Sequence, residues 1–246
     1  MRFLRTTVFL SLTILMSSPG WADKGIDYVH RVDKNMQASK DLTAVSKTTI
    51  ISSGGTQETR VMKMYRKGEK KLFFFTSPPG VKGVAFLSLS DDNMYLYMPA
   101  FHKVRRIASS AKGNSFMGTD LAYEDMATTD YTKKYNVKLV SEDAKEAHLI
   151  MTAKPGSDAA YSKMDSIIDK VHWLRKFSKV YDKSGKLLKI MKMEKVKKID
   201  GYDVPTHIDV KNVQTNHQTI IDQTDTHFDT GLKDSLFSKR RLSRIR

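Results

Sequence analysis

Seven histidines, at positions 30, 102, 148, 172, 207, 217 and 227, are the first residues to weigh for chemistry. A helical metal or proton-transfer pair needs two of them on one face, three or four residues apart. No two stand that close in the chain. His217 and His227 are candidates to meet across a hairpin, and surface or structural roles are expected for both. Glu124 and Asp125 form an adjacent carboxylate pair that general acid–base catalysis could use; ordinary solvated charge at a helix end is the plainer expectation. The run "GNSFMG" lacks the second glycine, two residues after the serine, that a nucleophile elbow requires. There is no cysteine and no glycine-rich phosphate loop followed by Lys-Ser/Thr. The residues therefore predict no enzyme, no catalytic residue, no metal site and no cofactor.

Apolar chemistry is more evident. Phe73, Phe74, Phe75, Phe86, Tyr95, Tyr97, Phe101, Phe116 and Met117 fall within one third of the chain. Consecutive residues of a strand point to opposite faces, so Phe73-Phe74-Phe75 demands apolar cover on both sides. Methionine is unbranched and adaptable, which suits either a core or a pocket for variable chains. Beside this set, "MYLYMPAFHKVRRI" (94–107) runs from aromatic and thioether side chains straight into Lys103, Arg105 and Arg106.

The whole chain is basic, with 42 Lys and Arg against 27 Asp and Glu, a net charge of +15. That favours anionic partners such as nucleic acid, lipid headgroups or an acidic protein face. The first residues narrow the choice. Arg2 and Arg5 precede an apolar run from Val8 to Met16, followed by Pro19, Gly20 and Ala22. This is the layout of a secretory signal, with a cut expected at Ala22–Asp23 and residues 1–22 removed. Export argues against nucleic acid. Without cysteine, neither a disulfide nor a lipidated cysteine is available. A soluble periplasmic protein is expected, with residues 23–246 as one domain and the protein a monomer.

Short runs rich in Val, Ile, Thr and aromatics begin at 42 and are punctuated by Ser53-Gly54-Gly55, Gly68, Pro78-Pro79-Gly80, Asp91-Asp92-Asn93 and Pro99. The spacing is that of antiparallel hairpins. In 93–100, Met94, Leu96 and Met98 should face one way and Tyr95 and Tyr97 the other. Before these runs, Ile26, Val29, Val32 and Met36 form a helical stripe over 24–39. After them, 110–130 reads as a loop with a short helix near Asp120–Met126. Strands resume at 131. The expected fold is mainly β (α+β): one curved antiparallel sheet of about ten or eleven strands, forming an unclosed half-barrel covered by the N-terminal helix and the insert. Along 103–108 the alternation puts Lys103 and Arg105 on one face and Arg106, between Val104 and Ala108, on the other. Arg106 is expected to turn inward.

"SPPGVKGVAFL", "MYLYMPAFHKVRRI" and "SFMGTDLAYEDM" resemble the exported family of outer-membrane lipoprotein-sorting proteins, relatives of the LolA-like carriers. "KVYDKSGKLLK", "KKIDGYDVPTHIDV" and "DSLFSKRRL" are similar to its C-terminal half, so the resemblance spans roughly 77–240. It implies an unclosed β-barrel with an apolar concave side that carries a lipid or acylated lipoprotein across the periplasm. It also implies an inner-membrane transporter of the resistance-nodulation-division (RND) type and an outer-membrane acceptor as partners. On this reading Phe86, Met94, Leu96, Met98, Phe116 and Met117 line the cavity. Lys103, Arg105 and Arg106 meet a headgroup, or latch the insert through Asp120, Glu124 or Asp125, since Arg holds carboxylates with paired bonds. Two other functions fit the same residues less well: a lipid-binding envelope sensor or adaptor that does not transport, and a lipid hydrolase.

Overall fold

The computed structural model describes residues 20–245, with side-chain surroundings from residue 23 onward. The expected signal over 1–22 lies outside these, apart from the backbone of residues 20–22, which opens helix α1 (Gly20–Met36).

Thirteen strands build one antiparallel sheet. The first six are β1 (Asp41–Ile51), β2 (Gln57–Lys67), β3 (Lys70–Ser77), β4 (Ala85–Ser88), β5 (Met94–Met98) and β6 (Lys103–Arg106). The remaining seven are β7 (Tyr135–Glu142), β8 (Glu146–Ala153), β9 (Lys163–Asp169), β10 (Leu174–Tyr181), β11 (Leu187–Ile199), β12 (Tyr202–Asn212) and β13 (His217–Phe228). Each strand pairs with its sequence neighbours except across the break between β6 and β7, and β1 pairs with β13, so two meanders are joined at their long ends. β6 and β7 are the two edges, and the sheet is not closed between them. The chain from 107 to 134 crosses that gap and carries short helices α2 (Tyr123–Met126) and α3 (Tyr131–Lys134).

The count exceeds the expected ten or eleven, and one of the added strands comes from 161–181, which holds two. Their turn has no glycine or proline. Instead Asp169 accepts from the backbone N–H of Val171 (2.8 Å) and His172 (3.3 Å), and Trp173 takes a left-handed φ of 50°. Side-chain oxygens of Asp substitute for backbone in such turns. Pro205 lies inside β12 near Lys195 (φ 53°), where the ladder is interrupted and Thr206 donates to the Lys195 carbonyl at 2.8 Å. Proline is tolerated at such irregularities. The segment 131–134 is α3 rather than strand, because Asp130 caps it by accepting from Thr132 N at 3.1 Å.

Burial follows the alternation. On the inner face, α1 places Tyr28, Val29 and Val32 against Tyr135, Val137, Leu139 and Leu149. The approach is close: a Cβ on Gly25 would lie 3.1 Å from the Leu139 nitrogen. Lys24, Tyr28 and Lys170 converge on Glu142 at the end of β7 and hold its carboxyl down to about 2. Met36 of the expected stripe is 50% exposed, past the last packed turn. The other half of the inner face gathers Met62, Phe73, Phe75, Phe86, Met94 and Leu96 under the 107–134 insert. Phe74, Tyr95 and Tyr97 face the opposite, outer side with Leu72 and Leu87. That side is covered by the C-terminal segment, which contributes Phe237 and, from helix α4 (Lys239–Leu242), Leu242. Asp41 steers the segment there by accepting from the backbone N–H of Thr230, Gly231 and Leu232 at 2.7–3.0 Å.

Candidate functional site

The insert meets the sheet through a tight hairpin. Phe116 N–H donates to Leu121 O (2.7 Å) and Thr119 N–H to Phe116 O (3.0 Å), with Met117 and Gly118 at φ 53° and 79° between them. Two successive left-handed residues make a type I′ turn, and the glycine takes the position where a Cβ is most costly. The turn drives Phe116 into the inner face. Its ring stacks on Phe75 (centroids 5.8 Å apart, 17° between planes) and meets Phe86 edge-on at 5.6 Å. Tyr123 of α2 closes the group, 5.7 Å from Phe86 and 5.8 Å from Phe116. Each such pair adds about 0.5–1.5 kcal/mol to the burial of its area.

The six residues expected to line a cavity are therefore brought together. Phe86, Met94, Leu96 and Phe116 are fully buried, and Met98 and Met117 pack against them half-buried. In this structure they form a packed seat for the insert. A groove of about 600 Å³ opens elsewhere, between Ser109–Asn114, Asp158–Tyr161 and Asp182–Ser184, and none of the six lines it.

Around the apolar seat the insert is fastened by polar contacts. Asp125 accepts from Lys189 Nζ (2.6 Å) and Tyr161 OH (2.8 Å), and it also caps α2 through Ala122 N at 2.7 Å. Lys189 reaches the Asp120 carbonyl as well, at 3.0 Å, and its side chain is 2% exposed. The Asp120 carboxylate accepts from Thr219 Oγ1 (2.7 Å) and lies 2.8 Å from His217 Nδ1. Arg60, held by the Glu58 carboxylate (2.6 and 2.9 Å), donates to the Met117 carbonyl at the hairpin tip (2.6 Å). Lys71 donates to Ala127 O at 2.8 Å; burial lowers its ammonium to about 8.

A second node is built mainly from ion pairs. Lys112 reaches Asp91 (3.1 Å), Asp92 (2.8 Å) and Asp158, and Lys134 reaches Asp91 (2.6 Å), Asp158 (3.1 Å) and Glu124 (3.1 Å). Burial pushes the Glu124 carboxyl up, against the pull of Lys134. Burial also works against Asp158, but Lys112 and Lys134 outweigh it and leave that carboxyl below its usual range.

Asp120, Glu124 and Asp125 thus do fasten the insert, but not to the expected cations. Lys103, Arg105 and Arg106 are all exposed on the edge strand β6. The inward turn expected of Arg106 is overturned by the register: Arg106 pairs with Tyr95 and Arg105 with Leu96. Directly paired residues share a face. Arg106 therefore lies on the outer side with Tyr95, whereas Lys103 and Arg105 lie on the inner side with Met98 and Leu96. The cations that hold the insert are Lys189 and Arg60 of the sheet, together with the insert's own Lys112 and Lys134, which reach out to Asp91, Asp92 and Asp158. His217 and His227 both lie on β13 and face Asp120 and Asp225, not each other.

Comparison with known proteins gives a consistent picture. A family model described only as an uncharacterized protein matches residues 67–244. No curated protein matches the chain. The crystal structure of a DUF1329 family protein from Desulfovibrio piger is similar at 31% identity and a TM-score of 0.83, over 90% of this chain and 99% of that one. A protein domain classed with outer membrane lipoprotein-sorting proteins, from Vibrio parahaemolyticus, is similar at 27% identity and TM-score 0.83, over 91% of this chain and 100% of its own. A LolA superfamily protein from Nitrosomonas europaea shares the fold at 19% identity, TM-score 0.72, over 88% and 98% of the two chains.

Proposed function

This chain belongs to the DUF1329 family and has the LolA-superfamily fold, and from that premise we propose that it is a periplasmic carrier that shelters acyl chains of a lipid or lipoprotein on the inner face of its half-barrel. One observation carries the reading. The apolar seat of Phe75, Phe86, Leu96 and Met94 is covered by a separate segment, 107–134, that is bonded through its backbone at its two ends, is tied to the sheet between them through side chains, and has no strand of its own in it. Such a cover can be exchanged for cargo. An acyl chain laid on Phe75 and Phe86 takes the place of Phe116, and each methylene removed from water contributes about 0.8 kcal/mol. Burying one apolar surface in exchange for another keeps the empty protein soluble and the loaded one stable.

Lys103 and Arg105, on the inner side of β6 beside Met98 and Leu96, are positioned for an anionic headgroup whose tail enters under the insert. The carrier moves its cargo towards the outer membrane, receiving it from an inner-membrane transporter of the RND type and yielding it to an outer-membrane acceptor. This task needs no catalytic residue.

The test is chemical. The protein purified from its native envelope is extracted with organic solvent and the extract analysed by mass spectrometry. Stoichiometric lipid, and transfer of that lipid between labelled vesicles, is the expected result. Binding without transfer makes the protein a sensor, and consumption of the lipid makes it an enzyme; either result overturns the proposal.

A further inference from the structure

The basic residues of β6 have a counterpart on the outer face. Tyr95 has Arg106 directly across the β5–β6 ladder, and Lys239 Nζ of α4 lies 4.3 Å from the centre of its ring. The edge strand and the C-terminal helix therefore meet at Tyr95 through Arg106 and Lys239. Lys103 and Arg105 lie on the same edge strand as Arg106, towards its inner side, and Arg240, Arg241 and Arg244 follow Lys239 in the C-terminal segment. All seven are exposed. Neither 99–119 nor 235–246 contains an Asp or Glu. The apolar side of α4 is spent on the sheet, with Leu242 buried among Leu72, Phe74 and Leu87, so its basic side faces solvent.

At the tip of the β5–β6 hairpin stands Phe101, 59% exposed, on a one-turn 3-10 segment that ends at His102 with φ 48°. The neighbouring β3–β4 turn abuts it, since a Cβ on Gly83 would lie 3.2 Å from Pro99, and it adds exposed Lys82. Val104 on β6 is exposed as well. Charged edge strands are common protection against edge-to-edge pairing. That explains Lys103, Arg105 and Arg106 alone. It does not explain Lys239 of a separate helix over the same tyrosine, three more arginines close behind it in the chain, or an exposed phenylalanine at the tip.

We infer that this surface docks the protein on an anionic phospholipid bilayer, with the cations of β6 and α4 on the headgroups and Phe101 inserted at the interface. Clustered Lys and Arg beside an exposed aromatic are what a peripheral membrane contact requires. The inference deepens the carrier reading, since it sets the cargo entrance beside β6 against the membrane. It is nevertheless tested without cargo.

The experiment is co-sedimentation with vesicles of phosphatidylethanolamine and phosphatidylglycerol, compared with neutral phosphatidylcholine vesicles. Binding to the anionic vesicles that weakens with salt is expected. The variant Arg106→Glu/Lys239→Glu should lose at least about tenfold in affinity, while Lys197→Glu/Lys198→Glu on β11, with the same change in net charge, should lose little. Because the chain has no cysteine, Phe101→Cys carrying an environment-sensitive dye is a unique reporter and should shift to the blue on anionic vesicles. Equal losses for the two charge reversals reduce the effect to net charge and overturn the inference; so does an unshifted dye or the absence of anionic binding. Matching thermal melts exclude misfolding as the cause. Lipid transfer measured on the same variants separates the two proposals: docking can fail while the protein still extracts lipid, and docking can stand where no lipid is carried.

Discussion

At the scale of single residues, the lysines that hold the insert sit in low-dielectric surroundings, where losing one partner is costly. Lys189 is buried between Asp125, Tyr161 and the Asp120 carbonyl. Lys189→Met should destabilise the protein by about 3–5 kcal/mol in urea unfolding, because it leaves Asp125 an uncompensated charge. Lys189→Met/Asp125→Leu should recover much of that loss, since replacing both ions removes the stranded carboxylate. Lys71 gives a pH signature. Burial lowers its ammonium to about 8, against the ordinary 10.5 of the unfolded chain. Between those values the unfolded chain binds the extra proton, so stability rises with pH. Lys112 and Lys134 are raised by their carboxylates, so what they contribute is intact until about 10.5 and does not mask the rise. Thermal melts from pH 8 to 10 should therefore show a gain of at most about 3 kcal/mol in the wild type that Lys71→Met lacks. At this scale the sequence was half legible. The three carboxylates of "TDLAYED" stood out as insert anchors, but their partners Lys189, Lys134 and Thr219 lie far along the chain or look like surface residues. Arg106, flanked by Val104 and Ala108, looked inward only because β6 was read without the register of its partner β5.

At the scale of elements, the hairpin of 115–122 is the piece whose movement matters. Phe116 is its anchor, stacked on Phe75 and edge-on to Phe86. Phe116→Ala should cost about 3–5 kcal/mol, as removing a buried aromatic does. It should also speed the uptake of a fluorescent fatty acid, because the space left on Phe75 and Phe86 suits an acyl chain. A slower uptake, or none, would make Phe116 a core residue without a gating role. The elements themselves were largely readable. Alternation placed Met94 and Leu96 opposite Tyr95 and Tyr97, and the three consecutive phenylalanines demanded cover on both faces, which the insert and the C-terminal segment supply. What escaped were elements whose boundaries rest on side chains, not on glycine or proline. The β9–β10 turn is made by Asp169 and α3 by the Asp130 cap, while in the "GNSFMG" hairpin Gly118 marks only one of two left-handed positions and Met117 takes the other. A methionine with positive φ carries no turn signal in sequence, since only its surroundings hold it there.

At the scale of the whole molecule, a thirteen-stranded sheet that does not close leaves β6 and β7 without a partner strand on one side, and the ion node spans that opening. Asp91 and Asp92 belong to the β4–β5 turn of one meander, Asp158 to the β8–β9 connection of the other, and Lys112 and Lys134 lie between them. Backbone pairing would have fixed the opening permanently; ions fix it only while their geometry holds. A desolvated pair gains little net stability over an apolar one but is strongly disrupted when one partner goes, so the node behaves as an all-or-none fastener. Its coupling to the inner face is direct, since Lys134 also holds Glu124 in the insert and Glu124 accepts from Ala160 N at 3.1 Å. Lys112→Met should therefore do more than lower stability by about 3–5 kcal/mol. Hydrogen exchange should quicken together in 89–93, in 154–162 and in the insert, three stretches far apart in sequence, while β11–β12 and the β1–β13 seam keep their protection. Faster exchange confined to 109–114, the local neighbourhood of Lys112, would show the two meanders to be held independently. The half-barrel would then open only by lifting its insert, without any parting of its edges.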